Sequence, residues 1–153
     1  MKRNIVFSFL KAALIFGAFS QTLLAQSDLH LKADIPFAFV ADGKIQAPGS
    51  YDLQQLRPSV IVLRNLSNGS ASVIRTTADR REKGTEGRTL LLFNRYGDTY
   101  FLNQFTLDTN DIANRIHRSP SEHVLAQQFQ KPQLVIVSLA PSNDSTRMKN
   151  PSR

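Results

Sequence analysis

The chain has 153 residues, with 19 basic against 12 acidic, a net charge of +7, no cysteine and no tryptophan. That length suits one domain with one core. The absence of cysteine excludes disulfide staples, thiol catalysis, Cys-ligated metals and a lipid anchor on cysteine, so apolar burial must carry the stability. The basic balance permits weak contact with anionic surfaces, and without any nucleic-acid-binding motif it does not point to nucleic acid.

Lys2 and Arg3 form a positive head, Ala12 to Phe19 an apolar stretch, and Leu23-Leu24-Ala25 a cleavage site. This is the pattern of a signal peptide over residues 1–25, with a mature chain beginning at Gln26 and exported to the periplasm or the cell exterior. A retained anchor is the alternative. Against it, Lys11, Gln21 and Thr22 interrupt the roughly 20 apolar residues that a spanning helix needs. Removing the signal leaves 128 residues, 16 basic and 12 acidic, at a net charge of +4.

Past the signal, turn residues recur between apolar runs. Asp42-Gly43 and Asn68-Gly69 fit type I′ hairpins, and Gly97-Asp98, with Gly first, fits type II′. Pro48-Gly49 fits a type II turn, and Arg57-Pro58 breaks the chain again. Two-residue turns predict the registers. Around Asn68-Gly69, Leu63 should face Ile74, and Arg64 should face Val73. Ile61, Leu63 and Ile74 would then share one face, with Arg64, Arg75, Val60, Val62 and Val73 on the other. Around Gly97-Asp98, Phe93 should face Leu102, Leu92 should face Asn103, and Leu90 should face Phe105. Both faces of this second hairpin are apolar, so something must cover the outer one. Between the two hairpins, Ala78 to Arg88 reads as a long, flexible hairpin connection with concentrated charge.

Ser119-Pro120-Ser121-Glu122 is a capping box with Pro at the first helical position. It predicts a helix from Pro120 to Gln130, whose Val124, Leu125 and Phe129 would cover the hairpin. Pro132 ends the helix, and Gln133 to Leu139 forms a last apolar strand. A single β-rich domain is therefore expected over residues 28–140, followed by a disordered polar tail over 141–153. The expected fold is mainly β: a small antiparallel meander closing into a barrel or a curved sandwich, with one helix from the C-terminal half packed on it.

The runs Ile35-Pro36-Phe37-Ala38-Phe39, Pro48-Gly49-Ser50-Tyr51 and Tyr96-Gly97-Asp98-Thr99-Tyr100-Phe101-Leu102 resemble a group of small exported bacterial proteins of unknown function. Those share an I-P-F-x-F, P-A-G-x-Y and Y-G-x-x-Y-F-L pattern. This chain departs from it at Gln46-Ala47-Pro48-Gly49. The resemblance implies an exported all-β domain with one helix and supplies no activity, ligand or catalytic residue.

The chemistry-bearing residues are sparse. His30, His117 and His123 have no metal-binding spacing. There is no G-x-S-x-G and no phosphate-binding glycine loop. Asp108-Thr109-Asn110-Asp111 lacks the Gly and Glu of a calcium loop and reads as a polar turn. Phe37, Phe39, Phe93, Phe101, Phe105 and Phe129 read as core, and Arg95 facing Tyr100 suits a cation–π pair. Surface contact falls to Arg80, Arg81, Lys83 and Arg88 in the charged connection. No catalytic, cofactor or metal site is expected. The expected function is an exported, non-enzymatic binding or interaction module, meeting an anionic surface or a protein through a sheet face or edge. The alternative is a carrier of an apolar small molecule inside a barrel; an enzyme ranks third.

Overall fold

Alternation of apolar and polar residues places most strands. In β1 (His30–Ile35), Leu31, Ala33 and Ile35 are buried while Lys32 and Asp34 are exposed. The same period runs through β4 (Gly49–Arg57), β5 (Val60–Asn65) and β6 (Ala71–Arg80). β7 (Leu90–Tyr96) and β8 (Thr99–Thr106) are buried nearly throughout, so both of their faces are covered. The remaining elements are β2 (Phe39–Ala41), β3 (Lys44–Gln46), β9 (Ile112–Ile116), helix α1 (Pro120–Gln128), β10 (Gln133–Ser138) and β11 (Ala140–Pro141). This computed structural model describes residues 30–108, 112–129 and 131–142. The expected signal peptide and its cut before Gln26, the Thr109-Asn110-Asp111 turn, and the tail from residue 143 lie outside the described residues.

The strands form one large, mostly antiparallel sheet in the order β10-β7-β8-β9-β6-β5-β4-β1-β11, with β2 pairing β3 and, in parallel, β8. It is not closed into the expected barrel. One stretch of chain supplies both ends: β10 lies on β7, and after Leu139 β11 reaches β1 for only two residue pairs, Leu31–Pro141 and Lys32–Ala140. Pro141 has no N–H with which to extend that ladder.

The expected meander is also interrupted. β4-β5-β6 and β7-β8-β9 are meanders, but β6 pairs with β9 and not with β7. The charged connection is therefore no hairpin. It carries the chain past β9 and β8 in a Greek-key step.

The expected turns fare differently: Pro48-Gly49 forms no type II turn, since Gly49 opens β4 at φ 150° and not near the roughly +80° of that turn, whereas Asp42-Gly43 keeps its form. Asp42 and Gly43 both take positive φ, 50° and 74°. The Asn68-Gly69 loop is longer than expected. Asn65 pairs with Ser70, giving a four-residue loop held by Asn65 Oδ1, which accepts from the Ser67 and Asn68 amides. Ile74 thus faces Ile61, and Val73 faces Val62. A shift of two residues preserves the faces, so Ile61, Leu63 and Ile74 remain in the core. Around Gly97-Asp98, Phe93 faces Leu102 as expected. A bulge then pairs Leu92 with Gln104, Leu91 with Phe105 and Leu90 with Thr106. Without the bulge Gln104 would point into the core. With it, Phe105 enters instead, and Gln104 donates to the Arg80 carbonyl. Arg95 lies 5.4 Å from the centroid of the Tyr100 ring opposite it.

Side chains from one face of the sheet gather into a core. Phe39 packs edge-on against Tyr51 and Phe93 at 5.3–5.4 Å, and Phe37 stacks on Tyr100 at 4.0 Å. Leu53, Ile61, Leu63 and Phe105 complete this core.

Candidate functional site

Three places gather polar chemistry. The first is the charged connection. Arg81 is not a surface group: it is 8% exposed, and its guanidinium donates to the carbonyls of Thr85, Arg88 and Leu107. Buried carbonyls in an irregular loop need donors, and a forked guanidinium supplies several at once. Thr85 and Thr106 fasten the loop further, to the Glu82 and Arg88 carbonyls. The loop thereby covers the outer face of β8. Arg80, Lys83 and Arg88 stay exposed, and among the described residues none is in an ion pair. The structure does not gather the four candidates into one site.

The second place lies under α1. Ser119 caps the helix, its hydroxyl accepting from the Glu122 amide at 3.2 Å. The Glu122 side chain turns to the sheet, 2% exposed, and accepts from Asn94 Nδ2 at 2.8 Å. Arg118 Nε lies 3.8 Å from the same carboxylate. The buried Tyr96 hydroxyl lies beside the same carboxylate. Burial, then the Glu122 charge, push its pKa above the ordinary tyrosine value.

The expected helical cover is thus present but differently made. Val124 is exposed, Phe129 touches the Tyr96 ring from the helix end, and the buried residue is a glutamate. Glu122, Leu125, Ala126 and Phe129 share the sheet-facing side. Val124 falls off that side, so the expected trio does not form one face. Beside the helix, Val40, Asp42, Ile116, His117 and Glu122 line a shallow open crease too tight to hold a water molecule. The carboxylate there docks the helix.

The third place is the outer face of β1, β4, β5 and β6. Cross-strand pairing sets three rows: Lys32–Asp52–Arg64–Ala71, His30–Gln54–Val62–Val73, and Arg57–Val60–Arg75. Directly paired residues share a face, so Lys32, Arg57, Arg64 and Arg75 stand around Val60, Val62 and Val73. Val73 is 61% exposed, and a bulge leaves Leu56 unpaired and half-exposed next to Arg57. Asp52 is held by His30 at 3.0 Å, and Asp34 accepts from the Ser50 hydroxyl. Among the described residues, none of the four cations has an ion-pair partner. The charge run of the connection is the more conspicuous basic feature of the sequence, but it is not part of this face. The alternation Val60-Ile61-Val62-Leu63-Arg64 was the signal for it.

On the β6–β9 flank, Asp79 pairs with Arg115. The Arg80 amide, then Arg115, hold its carboxyl below the usual carboxylate range. Among the described residues, no three of His, Asp or Glu gather as a metal site, and no helix is long and apolar enough to cross a membrane. Comparison with known proteins gives no match to any family model, curated protein or solved structure.

Proposed function

We propose that this protein is an exported, non-enzymatic binding module that meets its partner on the outer face of β1, β4, β5 and β6. The contrast between a packed core face and an outer face left uncovered by the described residues carries the reading. Phe39, Tyr51, Leu53 and Phe93 pack against one another in the core. A carrier needs a cavity of roughly 300 Å³ or more in that place. On the other side, Val73 and Leu56 stay in solvent among unpaired cations. Exposed apolar residues grouped with charge mark interaction surfaces. The likeness to small exported bacterial proteins belongs to the same proposal, since it implies export and an all-β domain and attaches no activity.

A photo-reactive side chain placed at Val73, and separately at Val124 on the helix, tests the reading in the full chain within its host. Adducts at Val73 well above those at Val124 are expected. Equal labelling overturns it. So does a stoichiometric apolar small molecule released only on unfolding, seen by native mass spectrometry.

A further inference from the structure

We infer that the outer face of β1, β4, β5 and β6 docks on a lipid bilayer surface rich in anionic headgroups. The inference rests on the binding-module reading and names the partner class for the same face. Three features of the face point there together.

The first is unpaired charge. Arg57 and Arg75 flank Val60 in one cross-strand row, about 10 Å apart at Cα from the usual spacing of paired strands. Arg64 stands two row positions along β5, about 13 Å from Val60 at strand rise. Lys32 is in the same row as Arg64. The nearest carboxylates, Asp52 and Asp34, are engaged by His30 and Ser50, and neither lies within ion-pair distance of these cations. Guanidinium groups suit phosphate oxygens because their forked donors match them two at a time.

The second feature is the apolar centre. Val60, Val62 and Val73 lie between the arginines, and Leu56 beside them. A soluble polyanion needs the cations alone. A bilayer surface also receives short apolar side chains at the level of the headgroup and acyl boundary, so both parts of this face find a counterpart.

The third is shape. The face is built from consecutive paired strands, and among the described residues neither helix nor long loop is fastened over it, whereas the β7–β8 face is roofed by α1 and the charged connection. A broad sheet surface meets a broad lipid surface without rearrangement.

Co-sedimentation of the full chain with vesicles tests the inference. One set contains equal parts phosphatidylglycerol and phosphatidylcholine, the other phosphatidylcholine alone. The difference between the two sets removes whatever apolar segments elsewhere contribute. Three variants are compared after their melting temperatures are shown to match the parent: Arg57→Gln/Arg64→Gln/Arg75→Gln, Val73→Asn, and the loop control Arg80→Gln/Lys83→Gln/Arg88→Gln.

Each basic residue at an anionic surface contributes about five-fold to partition, so the face triple should lose about a hundred-fold. Val73→Asn should lose about five-fold. The loop control should stay within about five-fold of the parent. Added salt should weaken parent binding, since the screening length falls to about 3 Å at 1 M. Equal losses in both triples would mean that net charge alone attracts the chain, and would overturn the inference. So would equal binding to both vesicle sets. So would binding to soluble polyglutamate that depends on the arginines and is indifferent to Val73→Asn. In each of these cases adducts at Val73 would still uphold the binding-module reading, and their absence would remove it, so the two failures are separable.

Discussion

Glu122→Ala probes how α1 is fixed to the sheet. The substitution removes the acceptor for Asn94 Nδ2 at 2.8 Å and strands that amide in a site only 2% exposed. A hydrogen bond to a charged group contributes about 1.5–3 kcal/mol, and an orphaned buried amide costs on the same scale. The Arg118 contact adds little, about 0.5 kcal/mol at most, because it is 3.8 Å long and the Arg118 side chain is 43% exposed. Against these stands the relief of no longer burying a carboxylate, which offsets part of the loss. The net expectation is a destabilisation of about 2 kcal/mol. For a domain of this size that lowers Tm by about 6–10 °C. Glu122→Gln keeps a carbonyl oxygen in place and should cost less than half as much. Thermal melts by circular dichroism, backed by urea titrations, read both. An Ala variant within about 1 °C of the parent would refute the docking role. A Gln variant that falls as far as Ala would move the stabilisation from the hydrogen bond to the charge.

Phe93→Ala and Leu102→Ala, which face each other across β7 and β8, should each cost about 2–5 kcal/mol in urea titrations. Chelator should leave the midpoint unchanged; shifts below about 1 kcal/mol, or a melt that collapses on metal removal, would contradict a core held by packing alone. The raised Tyr96 pKa makes stability pH-dependent on the alkaline side. The folded state disfavours the phenolate, so this contribution is fully present below the unfolded value of about 10 and is lost as pH rises through the folded one. Tyr96→Phe should flatten that alkaline decline, and an unaltered Tm profile above pH of about 10 would count against it.

The two strands of the Gly97-Asp98 hairpin, the last apolar strand, the Asp42-Gly43 and Gly97-Asp98 turns and the helix start at Ser119-Pro120 are legible because each rests on local chemistry or on a period of two, whereas β1, β9 and β11, which no two-residue turn flanks, are not among the expected strands. What was not legible depended on long-range choices. The loop at Leu66–Gly69 lengthened because a buried Asn65 offered its side-chain oxygen to two amides, outcompeting the two-residue turn of Asn-Gly. The β8 bulge answers a conflict between Gln104 and Phe105 that only the packed sheet reveals. The Greek-key step follows from β9 lying between β8 and β6, a pairing to which no turn residue refers. Arg81 looked like a surface cation because its charge was visible in the sequence while its carbonyl partners were not. On the outer face, the alternation places Arg64 and Arg75 on the side of Val60, Val62 and Val73, whereas Arg57, next to a proline, carries no signal of its place in that row.

The two halves of the sheet are finished in different ways, and the difference bears on the open half. If covering apolar surface were all that α1 did, an apolar face would serve. Instead, its buried contact is a carboxylate directed at one amide. A directional contact specifies where the helix sits, in which orientation, and over which strands, at a desolvation cost that a purely apolar seam avoids. The charged connection is specified the same way, by one guanidinium joined to three carbonyls and by Gln104 and Thr106 reaching out from β8. Cover is therefore tied to β7 and β8, whose outer residues include Leu90, Leu92 and Tyr96. The outer residues of β1, β4, β5 and β6 are mostly Lys, Asp, Gln, Arg and Val, and they require no cover for folding. Substitutions there should leave Tm near that of the parent, which is what makes the face open to functional tests that core residues do not permit.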